Sequence, residues 1–162
     1  MKTSTPDLVL LMRHVKSSWA EDGLADHDRP LNKRGLRDAP RMARLLRDEN
    51  LIPRQIISST AVRAIDTAKI VATELELEDP VTESRLYHAD VATWHLVFST
   101  LGGTGPILLV GHNPGLEELL LSLTGLTVRM PTAAIAVLQP PSTGLSAKEG
   151  WLLKAVWRPK EL

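Results

Sequence analysis

The chain has no cysteine among its 162 residues, so no disulfide staples it and no thiolate holds a metal; a reducing compartment is compatible with that composition. It also has no net charge, 19 basic residues standing against 19 acidic ones, which argues against a general nucleic-acid or membrane-surface binder but leaves room for a local basic pocket. No apolar run approaches a membrane span. The opening "MKTSTPDLVLLMRH", with one lysine and a short apolar stretch, lacks the core of a secretory signal, so a cytoplasmic protein is expected. No repeat or low-complexity tract divides the sequence. The hydrophobic fraction of 43% and charged fraction of 23% are those of a globular protein, long enough to bury a core as a single domain over residues 1–162.

Strand-like and helix-like patterns alternate along it. "DLVLLM", residues 7–12, is a continuous apolar run of strand length, as expected of a strand covered on both faces. The polar stretch "SSWAEDGLADHDRPLNKRG" reads as a long loop. Over 34–48, Leu36, Ala39, Met42, Ala43, Leu45 and Leu46 recur at helical spacing with arginines on the wet side and Asn32 as cap; Pro40 allows a kink or a later start near Asp38. "RQIISS" reads as a strand. "TAVRAIDTAKIVATEL" reads as a helix with Val62, Ile65, Ala68, Ala72 and Leu75 inward and Ser59 or Thr60 as cap. A short strand near "PVTES", a helix over 91–101, the strand "ILLVG" and the helix "PGLEELLLSLTG" follow, the last with Asn113 as cap, Pro114 at its first position and Gly125 at its end. "AAIAVLQ" and "GWLLKAVW" close the chain as a hairpin or edge pair. The expected fold class is α/β, a three-layer α/β/α sandwich with a mostly parallel central sheet.

Two of the apolar runs end alike. "LLMRHVKSS" runs into Arg13 and His14, and "PILLVGHNPG" runs into His112. Ligands of open α/β sheets bind beyond the carboxyl ends of the strands, so if these two strands are neighbours the histidines face each other there. "SSTAVRA" places Arg63 in the first turn of a helix at the same end. A buried charge needs a partner. Arginine forks match phosphate oxygens, the free amides of a helix start add donors, and a neutral histidine can attack phosphorus while arginines offset the charge on the transferring oxygens. A metal site is disfavoured because the two histidines have no third ligand at ordinary spacing. His27, His88 and His95 read as ordinary loop or surface residues.

These blocks are also similar to a known family. "LMRHVKS", "DRPLNKRG", "SSTAVRAIDTA" and "LLVGHNPG" resemble, in order, the blocks of the histidine phosphatase superfamily, over about residues 8–157. Within it the chain is most similar to the short phosphohistidine phosphatases of the SixA type, on the lysine and serine after the first histidine, on "GHNP", and on a length with no room for large insertions. The resemblance implies a phosphoglycerate-mutase-like fold in which His14 is phosphorylated, Arg13 and Arg63 bind the phosphoryl group and His112 completes the pocket. Lys16 and Ser17 are implied to touch the phosphate or leaving group, and Glu83 in "VTESRLYHA" is the general-acid candidate by order, with His88 behind it. Val15 stands where the family has small residues, and "STAVRA" lacks the proline often found after the paired serines.

The expected activity is therefore a two-step phosphatase with no metal and no cofactor. A histidine leaving group has a conjugate acid of pKa near 6.5 and departs readily once protonated, whereas an alkoxide needs a delivered proton. Phosphohistidine on a protein of a phosphorelay or phosphotransfer system is the leading substrate. Small phosphate esters, with Glu83 as acid, are the alternative. A non-catalytic phosphoprotein-binding domain is a third reading, one that has no use for both His14 and His112. No nucleic-acid or membrane partner is expected.

Overall fold

The computed structural model of the chain describes residues 8–162; Asp7, where the first strand was expected to begin, lies outside the described residues. The first strand, β1 (Val9–Arg13), shows why its sequence is apolar throughout. Val9 and Leu11 enter one core, Leu10 and Met12 the other, on the opposite side of the sheet. The strands β2 (Gln55–Ser58), β3 (Val81–Thr82), β4 (Ile107–Gly111), β5 (Ile135–Gln139) and β6 (Leu152–Trp157) complete a six-stranded sheet in the order β3-β2-β4-β1-β5-β6. The first four in that order are parallel; β5 runs antiparallel to β1, and β6 antiparallel to β5.

Helices α1 (Lys33–Asp48) and α2 (Val62–Glu74) cover one face, contributing Met42, Leu46, Ala64 and Val71 to its core. Helices α3 (Val91–Ser99) and α4 (Gly115–Thr124) cover the other with Trp94, Phe98, Leu116 and Leu119. This is the three-layer α/β/α arrangement with a mostly parallel sheet. No helix among the described residues is long and apolar enough to cross a membrane.

Several local expectations are corrected. Helix α1 runs unbroken through Pro40, and Asn32 caps it by accepting from the Gly35 amide at 3.0 Å. The carbonyl that Pro40 deprives of a donor belongs to Leu36, which is exposed rather than inward, so solvent can satisfy it. The inward stripe of α2 is Ala64, Thr67, Ala68, Val71 and Ala72; Val62 and Ile65 are half-buried at its edge. The N-cap of α2 is Ala61, not Ser59 or Thr60, and that of α4 is Pro114, not Asn113. In both cases a polar side chain expected to cap, Ser59 or Asn113, is engaged at the carboxyl end of the parallel strands.

Gly35 is fixed by a close approach. A Cβ there would stand 2.2 Å from the Lys16 carbonyl oxygen and 3.0 Å from Val15 Cγ2, so α1 rests directly on the loop that follows β1. The missing side chain at 35 makes room for the branched one at 15, which is fully buried.

Candidate active site

Strands β1 and β4 are parallel neighbours in the register Arg13 to Gly111, so the residues one step beyond, His14 and His112, face each other with ring centroids 5.2 Å apart. Both are buried, at 6% and 7% exposure. His14 Nδ1 lies 2.8 Å from the Val15 carbonyl oxygen. A carbonyl only accepts, so Nδ1 carries the ring hydrogen and Nε2 keeps its lone pair. That lone pair meets Arg63 Nε at 3.4 Å. The loop is itself pinned, because the Val15 amide donates to Thr67 Oγ1 of α2 at 3.1 Å.

His112 Nε2 lies 2.8 Å from Ser59 Oγ, which also accepts from the Ala61 amide. The other ring nitrogen, Nδ1, is a buried atom with no protein partner among the described residues. Arg13 Nε is likewise buried and unpartnered, while one terminal nitrogen of Arg13 donates to the Met130 carbonyl at 3.2 Å. Arg13 Nε, His112 Nδ1 and Asn113 Oδ1 are thus buried polar atoms without a protein partner among the described residues, and all three residues line one cavity.

The cavity has a volume of about 280 Å³ and takes its walls from Arg13, His14, Arg63 and His112, with Lys16 and Ser17 from the loop after β1. Glu83 is not brought there. It sits after β3, accepts from the Arg85 amide, and forms a two-pronged ion pair with the Arg85 guanidinium, both contacts at 3.0 Å. Those bonds hold its carboxyl below the usual carboxylate value, so it is ionised and turned to a partner of its own.

The cavity wall also holds His88, the second general-acid candidate, and Asp26, Arg29, Trp19 and Thr132, which the sequence reading left aside. Asp26 belongs to a helical turn (Asp26–Asp28) within the long loop. Its carboxylate accepts from Arg63 at 3.0 Å, from Arg29 Nε at 3.2 Å and from the Tyr87 hydroxyl at 2.8 Å, and its carbonyl accepts from Arg63 at 2.7 Å. Partial burial alone would raise this carboxyl; hydrogen bonds from Tyr87 and Arg63, and the Arg63 charge, outweigh it and hold the group well below the usual carboxylate range. Arg29, 7% exposed, also donates to Ser17 Oγ at 2.7 Å and lies 3.5 Å over the Trp19 ring. The one sequence signal for this cluster was the alternation "DHDRP", since an arginine that folds inward must bring an acid with it. His88 stands exposed at the cavity, its Nε2 4.0 Å from Asp26 Oδ2.

Burial, reinforced by the charges of Arg63, Arg13 and Arg29, lowers the His14 pKa to about 4 despite the Val15 bond that favours the protonated ring. Burial first, then His14, Arg63 and His88, lower His112 to about 3 against the pull of Asp26. Both rings are neutral at pH 7. A group held below its unfolded value takes up its proton more readily in the unfolded chain, so stability falls as the pH drops below about 6.5 and keeps falling toward the folded values. Each histidine contributes a slope of up to about 1.4 kcal/mol per pH unit. Thermal midpoints measured from pH 7.5 to 4.5 should therefore decline, and decline less steeply in His112→Gln; parallel curves for the two proteins would contradict the burial of a neutral His112.

Comparisons with known proteins point to a family and a fold. Residues 9–100 match the family described as Histidine phosphatase superfamily (branch 1). An uncharacterised protein of Mycobacterium leprae is 34% identical over 142 residues, covering 78% of this chain and 86% of that one. Among solved structures, a protein of Agrobacterium tumefaciens provisionally named phosphohistidine phosphatase SixA is 30% identical with a TM-score of 0.77, over 96% of this chain and all of its own (100%). The protein histidine phosphatase SixA complexed with tungstate shares the fold at a TM-score of 0.83 and 22% identity, over 95% and 98% of the two chains.

Proposed function

The chain belongs to the histidine phosphatase superfamily, and from that premise we propose that it acts as one domain that removes the phosphoryl group from phosphohistidine on a protein through a phosphorylated His14. The observation that carries this reading is the bond from His14 Nδ1 to the Val15 carbonyl. In the first step the Nε2 lone pair forms a bond to phosphorus as the substrate's P–N bond breaks. The departing imidazole leaves neutral, its far nitrogen having taken a proton from solvent. In the second step water attacks phosphorus, the P–Nε2 bond breaks, and a proton goes to solvent. Because Nδ1 keeps its hydrogen on the Val15 oxygen throughout, phosphorylated His14 is the cationic form, which also departs as neutral imidazole.

Arg63, Arg13 and His112 are the groups that hold the phosphoryl oxygens, with Lys16 at the wall and Ser17 held by Arg29. Neither step asks the protein for an acid. That suits the site, because Asp26 is the one carboxyl group on the cavity wall among the described residues, and it is ionised. An alkyl phosphate would expel an alkoxide and need a proton at that moment. The names carried by the SixA structures, one of them 30% identical to this chain, support the same substrate class. A phosphorelay or phosphotransfer protein met in the cytoplasm is the partner this reading requires.

The test is phosphate release from a histidine-phosphorylated protein and from glycerol phosphate. Release from the first should exceed release from the second by at least about a hundredfold, and Glu83→Gln should leave both within about twofold. Faster release from glycerol phosphate, lost in Glu83→Gln, would move the assignment to small phosphate esters.

A further inference from the structure

A second cavity, about 390 Å³ in volume, opens beside the catalytic one, and Thr132 lines both. One wall is a face of α1 that repeats arginine at helical spacing, Arg34, Arg37 and Arg41; the other comes from Arg129 before β5 and from Arg158 and Lys160 after β6. Six cations from three separate segments thus face two carboxylates, Asp38 and Glu161, in a chain with no net charge overall, so the excess is local. Asp38 is shared by Arg34 and Arg37 at 3.7 Å each, and Glu161 pairs with Arg158 at 3.2 Å. Arg41 donates to the Leu162 carbonyl, and Arg34 to Thr132 Oγ1 at 3.3 Å. Among the described residues neither Arg129 nor Lys160 has a carboxylate within ion-pair distance, and both are exposed.

Such a concentration is costly to leave alone, since like charges on one helix face repel and an indifferent surface mixes signs. Its character also differs from that of the catalytic cavity. There Arg63 and Arg29 are buried and tied down, as suits a lone phosphate; here the Arg37 side chain is 73% exposed, Arg129 and Lys160 are exposed, and Arg34, Arg41 and Arg158 are half-buried. Exposed cations around an open cleft suit carboxylates spread over a protein surface, which they would steer and orient. Asp38 and Glu161 interrupt the positive track that a nucleic-acid backbone would need.

We infer that the cleft between α1 and the segment after β6 is the docking site for an acidic surface next to the phosphohistidine of the substrate protein. This rests on the proposed substrate class. Through Thr132 and Arg34 the docking surface adjoins the catalytic cavity, so a partner seated on it presents its phosphoryl group to His14.

The experiment compares a histidine-phosphorylated phosphotransfer domain, acidic around its phosphohistidine, with phosphoimidazole, which can reach only the catalytic cavity. In Arg37→Glu/Arg129→Glu, kcat/KM on the domain should fall at least about tenfold, through KM, while phosphoimidazole hydrolysis stays within about twofold. Arg37→Gln/Arg129→Gln should show a smaller loss of the same kind, which keeps the test sound if the charge reversal folds poorly. Salt should slow the wild type on the domain and leave phosphoimidazole unaffected. Unchanged rates on both substrates, or equal losses on both, would overturn the docking site while the phosphohistidine reading stands. A wild type that hydrolyses phosphoimidazole but not the domain would overturn both. Stronger competition by an oligoribonucleotide than by a glutamate-rich peptide of equal charge would reassign the cleft to nucleic acid.

Discussion

His14→Ala is expected to lower phosphate release from a phosphohistidine protein by about 10⁴-fold or more, the scale seen when a covalent nucleophile is removed. The loss should fall on kcat, because Arg13, Arg63 and His112 remain to bind the phosphoryl group. Rapid acid-free quenching with labelled substrate separates the steps. Wild type should carry an acid-labile phosphoryl group and His14→Ala none. With His14 held near a pKa of 4, the nucleophile stays neutral far below the usual histidine range, so kcat/KM should show no loss attributable to His14 until the pH approaches 4. Labelling that persists in His14→Ala would place the nucleophile elsewhere, with His112 the nearest other ring.

Arg63→Ala is expected to cost on the order of a hundredfold or more in rate, as for removal of a donor that stabilises transferring charge. The side chain has a double engagement. Its Nε reaches His14 Nε2, and its two terminal nitrogens are fixed by the Asp26 carbonyl and carboxylate. Arg63→Lys should recover little, because a point charge cannot hold both contacts of Asp26 and still face the nucleophile. A thermal midpoint guards the interpretation: Asp26 keeps Arg29 and Tyr87 when Arg63 is gone, so a lost rate with a largely retained midpoint assigns the effect to chemistry. A loss below tenfold would remove Arg63 from the reaction.

Long-range arrangement was more legible in the sequence than local detail. Continuous apolar runs in β1 and β4 announced strands with two covered faces, and their shared termination in histidine placed His14 and His112 at one end of the sheet before any pairing was known. Arg63 was readable because a helix start has a fixed relation to the strand before it. Asp26 and Arg29 were not, since they lie in a loop without periodicity and only the fold carries them to the sheet end. Glu83 was placed by order along the chain; a neighbour two residues away, Arg85, claims its carboxylate. The caps were misassigned for a related reason. Ser59 and Asn113 are good capping residues by type, but His112 takes Ser59, and Glu117 and the Met130 carbonyl take the Asn113 amide at 3.0 and 2.8 Å.

The carboxylate of Asp26 has a bearing on turnover. A cleft lined only by guanidinium groups would grip inorganic phosphate as firmly as any substrate, and a phosphatase that keeps its product stalls. By standing permanently against Arg63 and Arg29, Asp26 cancels part of their field before any ligand arrives. In the proposed reaction, what the site would forgo in ground-state grip it would regain as release of the spent anion, since free phosphate would meet a half-satisfied pair of cations rather than a bare one.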